Sequence, residues 1–167
     1  MNEREDKYQW AGPYMYSRQM VVVRAESEIR TLQDLKGKRI AVQATTKAED
    51  LFLHNIESNL PQAEQVNCFS SSNELYAALR KNYADAIAGH EAMLGSLIQD
   101  GKGACRMLEE SPYKSELGIA FKKGTHEELA EKLTETLTEM QSEGITEKIV
   151  TKYGLDADET LPGGESK

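Results

Sequence analysis

One stretch of this chain restricts its fold more than any other. It runs Gly37-Lys38-Arg39-Ile40-Ala41-Val42-Gln43-Ala44-Thr45-Thr46-Lys47-Ala48-Glu49. The apolar centre, Ile40-Ala41-Val42, reads as a short buried strand. A small polar cluster, Ala44-Thr45-Thr46, follows it, and helical spacing begins directly after. A strand that opens through hydroxyl residues into a helix leaves unpaired N–H groups at the helix start. The helix dipole favours a negative group there. The stretch suggests an anion-recognising ligand site and gives little hint of catalysis.

The rest of the chain repeats this alternation. Met20-Val21-Val22-Val23 is β-branched and strand-like, and Thr31 to Gly37 forms a short helical turn ending at glycine. After the Lys38–Gln43 strand, Ala48, Leu51, Phe52 and Ile56 fall at helical spacing, up to about Asn59 and before Pro61. Gln65 to Phe69 is a strand candidate, and Ser71 with Glu74 spells a capping box that opens a helix through Leu75, Ala78 and Leu79. Ala84 to Ala88 is a short strand ending at Gly89. Met93, Leu94, Leu97 and Ile98 then mark a helix that stops near Gly101. Cys105 to Leu108 and Leu117 to Phe121 are strand-like. Thr125 to Glu128 spells a second capping box, before a long helix with Leu129, Leu133, Leu137 and Met140 on one stripe. A shorter helix carries Ile149, Val150 and Tyr153, and the acidic tail from Asp156 is expected to be disordered. Strands alternating with helices from Lys38 to Leu108 predict an α/β unit with a mostly parallel sheet covered on both faces. Ligands of such sheets bind beyond the C-terminal strand ends, here Gln43 to Lys47 and Gly89-His90-Glu91.

Composition narrows the function. The 167 residues carry a net charge of −8, which argues against binding a nucleic-acid backbone. No apolar run approaches the ~18 residues that cross a bilayer. The charged stretch Met1 to Lys7 leads to no apolar run, so no signal peptide is expected within the chain. Cys68 and Cys105 stand alone in strand-like contexts and read as two buried free thiols. His54, His90 and His126 share no metal-ligand spacing with them, so no metal site and no cofactor are expected. Neither a P-loop nor a GxSxG elbow is present.

In order and spacing, four segments resemble the bacterial periplasmic, or extracellular, solute-binding proteins of the amino-acid-binding class, the receptors of ABC importers. The first is Glu3-Arg4 followed by Pro13-Tyr14. The second is Leu32 to Glu49, against the pattern L-x-D-L-x-G-K-x-V-A-V-Q-x-G-T-T-x-E. The third is Asn82 to Ile87, and the fourth is Leu133 to Tyr153, which ends in Lys152-Tyr153. The resemblance implies a two-lobed clamp that holds its ligand in a cleft. Residues 1–23 would be a remnant of the first lobe and a hinge strand, and 24–116 the second lobe. Residues 117–155 would be the hinge return and C-terminal helices of the first lobe, followed by a tail at 156–167. Most of the first lobe would then be lacking. The stripe Leu129-Leu133-Leu137 would fold back on the remaining lobe or pair with a second copy as a homodimer.

The resemblance also assigns roles. Arg4 would hold a ligand carboxylate bidentately. Thr46, with the N–H groups of Thr46 and Lys47, would complete that grip or simply cap the helix. Thr45 stands where the family has glycine. Gln43 either points to the cleft or ends its strand, and Tyr14 lies among the cleft aromatics. Trp10 reads as core. His90 replaces the aspartate that takes an α-ammonium. Glu91 would substitute for it if the backbone shifted by one, or else the ligand is not an α-amino acid; His90 could also cap the next helix. The implied function is non-catalytic capture of a small polar or carboxylate solute for an ABC permease, outside the cytoplasm. A ligand-sensing input domain and a dehydratase-like enzyme on the same scaffold are the alternatives.

Overall fold

The computed structural model describes residues 5–56, 60–100 and 103–163. The chain divides into two units, a central one of Arg18–Tyr113 and a flanking one of Met1–Ser17 with Lys114–Lys167. Strand β1 (Tyr8–Arg24) starts in the flanking unit and ends in the central one.

The central unit is built from β2 (Arg39–Gln43), α1 (Lys47–Phe52), β3 (Gln65–Phe69), α2 (Ser72–Arg80), β4 (Ala86–His90), α3 (Glu91–Asp100) and β5 (Cys105–Met107). Its sheet has the order β3-β2-β4-β1-β5. β2 pairs in parallel with both β3 and β4, as strands joined through α1 and α2 must. β1 inserts antiparallel between β4 and β5, so the sheet is mixed.

Period-two alternation sends side chains to both faces of this sheet. Met20, Val22, Ala41 and Ile87 pack with Leu75, Leu79 and Leu94, beneath α2 and α3. Val21, Val23, Ile40, Val42, Ala86 and Ala88 pack with Leu35 and Ala48 on the opposite face. Two buried faces explain why these strands read as continuous apolar runs. At the N-terminal ends of β2 and β4 the carboxylate of Asp85 accepts from Arg39 N (3.0 Å), Nε (3.0 Å) and Nη2 (2.7 Å). Asp85 N–H in turn donates to Arg39 O at 2.8 Å.

In the flanking unit β6 (Tyr113–Lys122) pairs with β1, and the unit adds α4 (Glu127–Ser142), α5 (Ile145–Lys152) and α6 (Ala157–Thr160). Gly12 N–H donates to Thr134 Oγ1 at 3.0 Å, tying β1 to α4. Ala11, Ala130, Val150 and Leu161 are buried, while Leu129, Ile149 and Tyr153 are exposed. A groove of about 520 Å³ runs along α4, lined by Trp10, Ala130, Thr134 and Thr138 among others. Among the described residues no helix is long and apolar enough to cross a membrane.

Several local expectations are corrected. α1 ends at Phe52, well before Asn59. Asn55 turns the chain in the left-handed region, and Ile56 is exposed. The Ser71–Glu74 capping box forms as spelled. The one at Thr125 does not, because His126 is the N-cap, left-handed and without a side-chain cap, and the Thr125 hydroxyl donates to Lys122 O. The stretch beginning at Asp156 is ordered through α6: Asp156 caps it by accepting from Asp158 N–H, and Thr160 and Leu161 are buried. Trp10 is half-buried beside the α4 groove, outside both core clusters. Both cysteines are free, but only Cys105 is buried, whereas Cys68 is exposed at the end of edge strand β3.

Candidate functional site

The registers bring one set of chain segments to a single edge of the central sheet. Gln43 pairs with Phe69, Val42 with Ala88, and Gln19 with His90. The C-terminal ends of β2, β3 and β4 therefore lie together with the point where β1 enters. Ser111 joins them, since its hydroxyl lies within donating distance of Gln19 O (2.8 Å) and Tyr113 O (2.9 Å), its one proton serving either carbonyl. β2 leads to β3 on one side and has β4 on the other, so the strand order reverses between β2 and β4. In sheets of this kind ligands bind beyond the carboxyl ends of the strands at such a reversal.

After β2 the backbone turns sharply. Thr45 takes a φ of 60°, the left-handed conformation that glycine adopts freely and a β-branched residue rarely does. Its N–H donates to Glu49 Oε2 at 2.6 Å and its hydroxyl to Ala44 O at 2.7 Å. Thr46 occupies the N-cap position of α1 but provides no side-chain cap, because its hydroxyl donates to Gln43 O at 2.6 Å. The threonine hydroxyls thus stabilise the turn. The Thr45 N–H, followed by the Cys68 thiol, holds the Glu49 carboxyl below its ordinary range. Partial desolvation of its sulfur at the strand edge, then the Glu49 carboxylate, pushes the Cys68 thiol up. Gln43 Nε2 donates to Ser70 O at 3.4 Å, joining the ends of β2 and β3.

Lys47 places its ammonium 4.4 Å from the centroid of the Tyr113 ring. At the end of β4, His90 is exposed and Nδ1 accepts from Ala92 N–H at 3.3 Å, capping α3. Glu91 does not stand in as an open acid. Its carboxylate is gripped by Arg18, Nε to Oε2 at 3.0 Å and Nη2 to Oε1 at 2.5 Å. Only 10% and 15% of the two side chains remain exposed, and charges so enclosed persist because each faces the other.

Of the residues singled out from sequence, Gln43, Thr45, Thr46, Lys47, His90 and Glu91 share this edge. Tyr14 lies in the flanking unit, half-buried on β1. Arg4 lies outside the described residues. Sequence reasoning missed Arg18, Ser111 and Tyr113. The available signal was Arg18 itself, a charge two residues before the apolar run Met20 to Val23. Among the described residues no cluster of three or more His, Cys, Asp or Glu side chains could hold a metal ion.

The family model for the periplasmic substrate-binding protein of phosphonate ABC transporters matches residues 9–160. The chain therefore belongs to the periplasmic substrate-binding proteins of ABC transporters. The L-cystine-binding protein TcyJ of Escherichia coli K12 is 27% identical over 154 residues, covering 91% of this chain and 56% of its own length. The chain thus spans little more than half of that relative. Among solved structures, the second substrate-binding domain of Lactococcus lactis GlnP, in an open conformation, shares the fold. Its TM-score is 0.71 at 24% identity, over 94% of this chain and 67% of that one. An ancestral arginine-binding protein with glutamine bound is 26% identical, with a TM-score of 0.65 over 92% of this chain and 66% of that one.

Proposed function

We propose that this chain is the solute-capturing part of an ABC importer receptor that binds a small polar or carboxylate solute without chemically changing it. The observation that carries this reading is the sheet edge where Gln43 to Lys47, Ser70, His90 and Tyr113 converge beyond the carboxyl ends of β2, β3 and β4. Membership of the substrate-binding family supports it. The state of Glu91 favours binding over catalysis, since a carboxylate held by two guanidinium bonds is poorly placed to move protons. In this reading the central unit is the second lobe of the clamp. The receptor works outside the cytoplasm and delivers its solute to a permease.

A thermal-unfolding screen of the chain against amino acids and small organic acids tests the proposal. A solute at 100 times its Kd stabilises the folded state by about 2.7 kcal/mol. At this chain length that is a rise in Tm on the order of 5–10 °C. The absence of any shift at millimolar concentration counts against solute capture by this chain.

A further inference from the structure

The groove along α4 has one charged wall. Glu131, Glu135 and Glu139 line it at four-residue spacing, so their carboxylates follow one another along a single face of the helix. Among the described residues none of the three carboxylates has a hydrogen bond or an ion pair. The single lysine of α4, Lys132, is committed to Glu128 at 2.8 Å. The hydroxyls of Thr134 and Thr138, which also line the groove, turn back to donate to Ala130 O and Thr134 O, at 2.8 Å each. With Trp10 and Ala130 they form an apolar channel beside a row of like charges that repel one another. Such a channel fits an apolar ridge flanked by cations.

The next helix carries that ridge. Ile145 and Ile149 on α5 and Tyr153 at its C-cap follow at four-residue spacing, and all three are exposed, Ile149 by 46% and Tyr153 by 76%. Lys148 and Lys152 fall on the same face and are exposed, and among the described residues neither ammonium has an ion pair. Glu147 is two positions from each isoleucine and faces elsewhere on the helix. Val150 is the residue that buries α5 on its other side. The two surfaces match in kind: apolar against apolar, and two ammoniums against three carboxylates. They do not meet within one chain, where the α5 ridge stands exposed and the α4 groove is open.

We propose that this chain pairs with a second copy of itself. The Ile145–Tyr153 ridge of one copy seats in the α4 groove of the other, with Lys148 and Lys152 against Glu131, Glu135 and Glu139. Ridge and groove belong to consecutive helices of the flanking unit. A two-fold pair makes the contact twice, each copy giving its α5 and receiving its partner's. The pairing does not rest on the solute reading, whose residues belong to the central unit.

Sedimentation equilibrium of the full chain tests this, with Trp10, the single tryptophan, as a fluorescent reporter at the groove. The expected result is a monomer–dimer equilibrium at micromolar concentration, with a change in Trp10 emission that follows the dimer fraction. Raising salt from about 0.05 to about 0.5 M is expected to weaken the dimer about tenfold. Amide exchange in α5, fast in the dilute monomer, is expected to slow in the dimer. Two sets of exposed substitutions locate the contact, each checked for folding by circular dichroism: Glu131→Lys with Glu135→Lys and Glu139→Lys, and Lys148→Glu with Lys152→Glu. Each alone is expected to dimerise about tenfold or more weakly. An equimolar mixture of the two is expected to recover the parent's affinity, because both contacts of the mixed pair again join opposite charges. Folded variants that show no recovery overturn the proposal. Should either set not fold, Ile149→Ser is expected to weaken the dimer about tenfold, and unchanged affinity overturns the proposal. A chain that stays monomeric at all concentrations overturns it, as does a dimer that ignores salt and leaves Trp10 emission unchanged. A monomer whose Trp10 emission responds to a Lys-rich amphipathic peptide gives the groove to another partner and overturns the pairing.

Discussion

Thr45 shows how one residue can keep a backbone shape that its own side chain disfavours. Its φ of 60° preserves the turn between β2 and α1, held by the bond from its N–H to Glu49. The left-handed conformation costs an L-residue about 1–2 kcal/mol. Glycine would remove that cost and lose about 0.4–1 kcal/mol through its freer unfolded chain. Thr45→Gly is therefore expected to stabilise the protein by about 0.5–1 kcal/mol. Urea unfolding would show a raised midpoint at constant slope, and a lowered midpoint would mean that the hydroxyl bond to Ala44 outweighs the strain. The sequence marked Thr45 as unusual. It could not say whether the turn or the side chain would give way, because that depends on whether neighbours such as Glu49 hold the turn.

At the scale of elements, the start of β2 is fastened to the start of β4 by Arg39 and Asp85. The Arg39 side chain, ahead of burial and the Arg39 N–H, sets the direction for Asp85, holding its carboxyl below the ordinary aspartate range. A depressed carboxyl pKa contributes stability that is complete above the unfolded-state value, about 3.9. That contribution is lost as pH falls below about 4 through the folded-state value. Asp85→Asn keeps the shape and removes the charge. It is expected to lower Tm by a few degrees at pH 7, with the gap to the parent closing in acid. A gap that persists unchanged at low pH would show that shape alone fastens the strands. Ser71 and Glu74 were legible from sequence because a capping box lies within four residues. The Thr125 box failed because its left-handed entry through His126 prevents the hydroxyl from reaching back to the helix.

For the molecule as a whole, both core clusters belong to the central unit. The flanking unit instead exposes Leu129, Ile149 and Tyr153. Local opening free energy follows buried apolar contact. Amide hydrogen exchange is therefore expected to be slowest at Val21–Val23, Ile40–Val42 and Ala86–Ala88, and fastest in α5 and α6. Uniform protection across both units would indicate a single cooperative fold with the flanking helices fully integrated.

The sequence by itself determined the alternation of strand and helix and the faces those elements bury, and it pointed to the two strand ends where a ligand site is expected. These follow from periodicity and local capping, which act over a few residues. Tertiary structure alone decided that β1 enters antiparallel beside β4. It alone decided that Arg18 meets Glu91 across 73 positions of sequence, and that Lys47 leans over Tyr113. An ion pair of that range has no periodic signature. It exists because the register of two strands brings the charges together in a place too enclosed for either to remain alone.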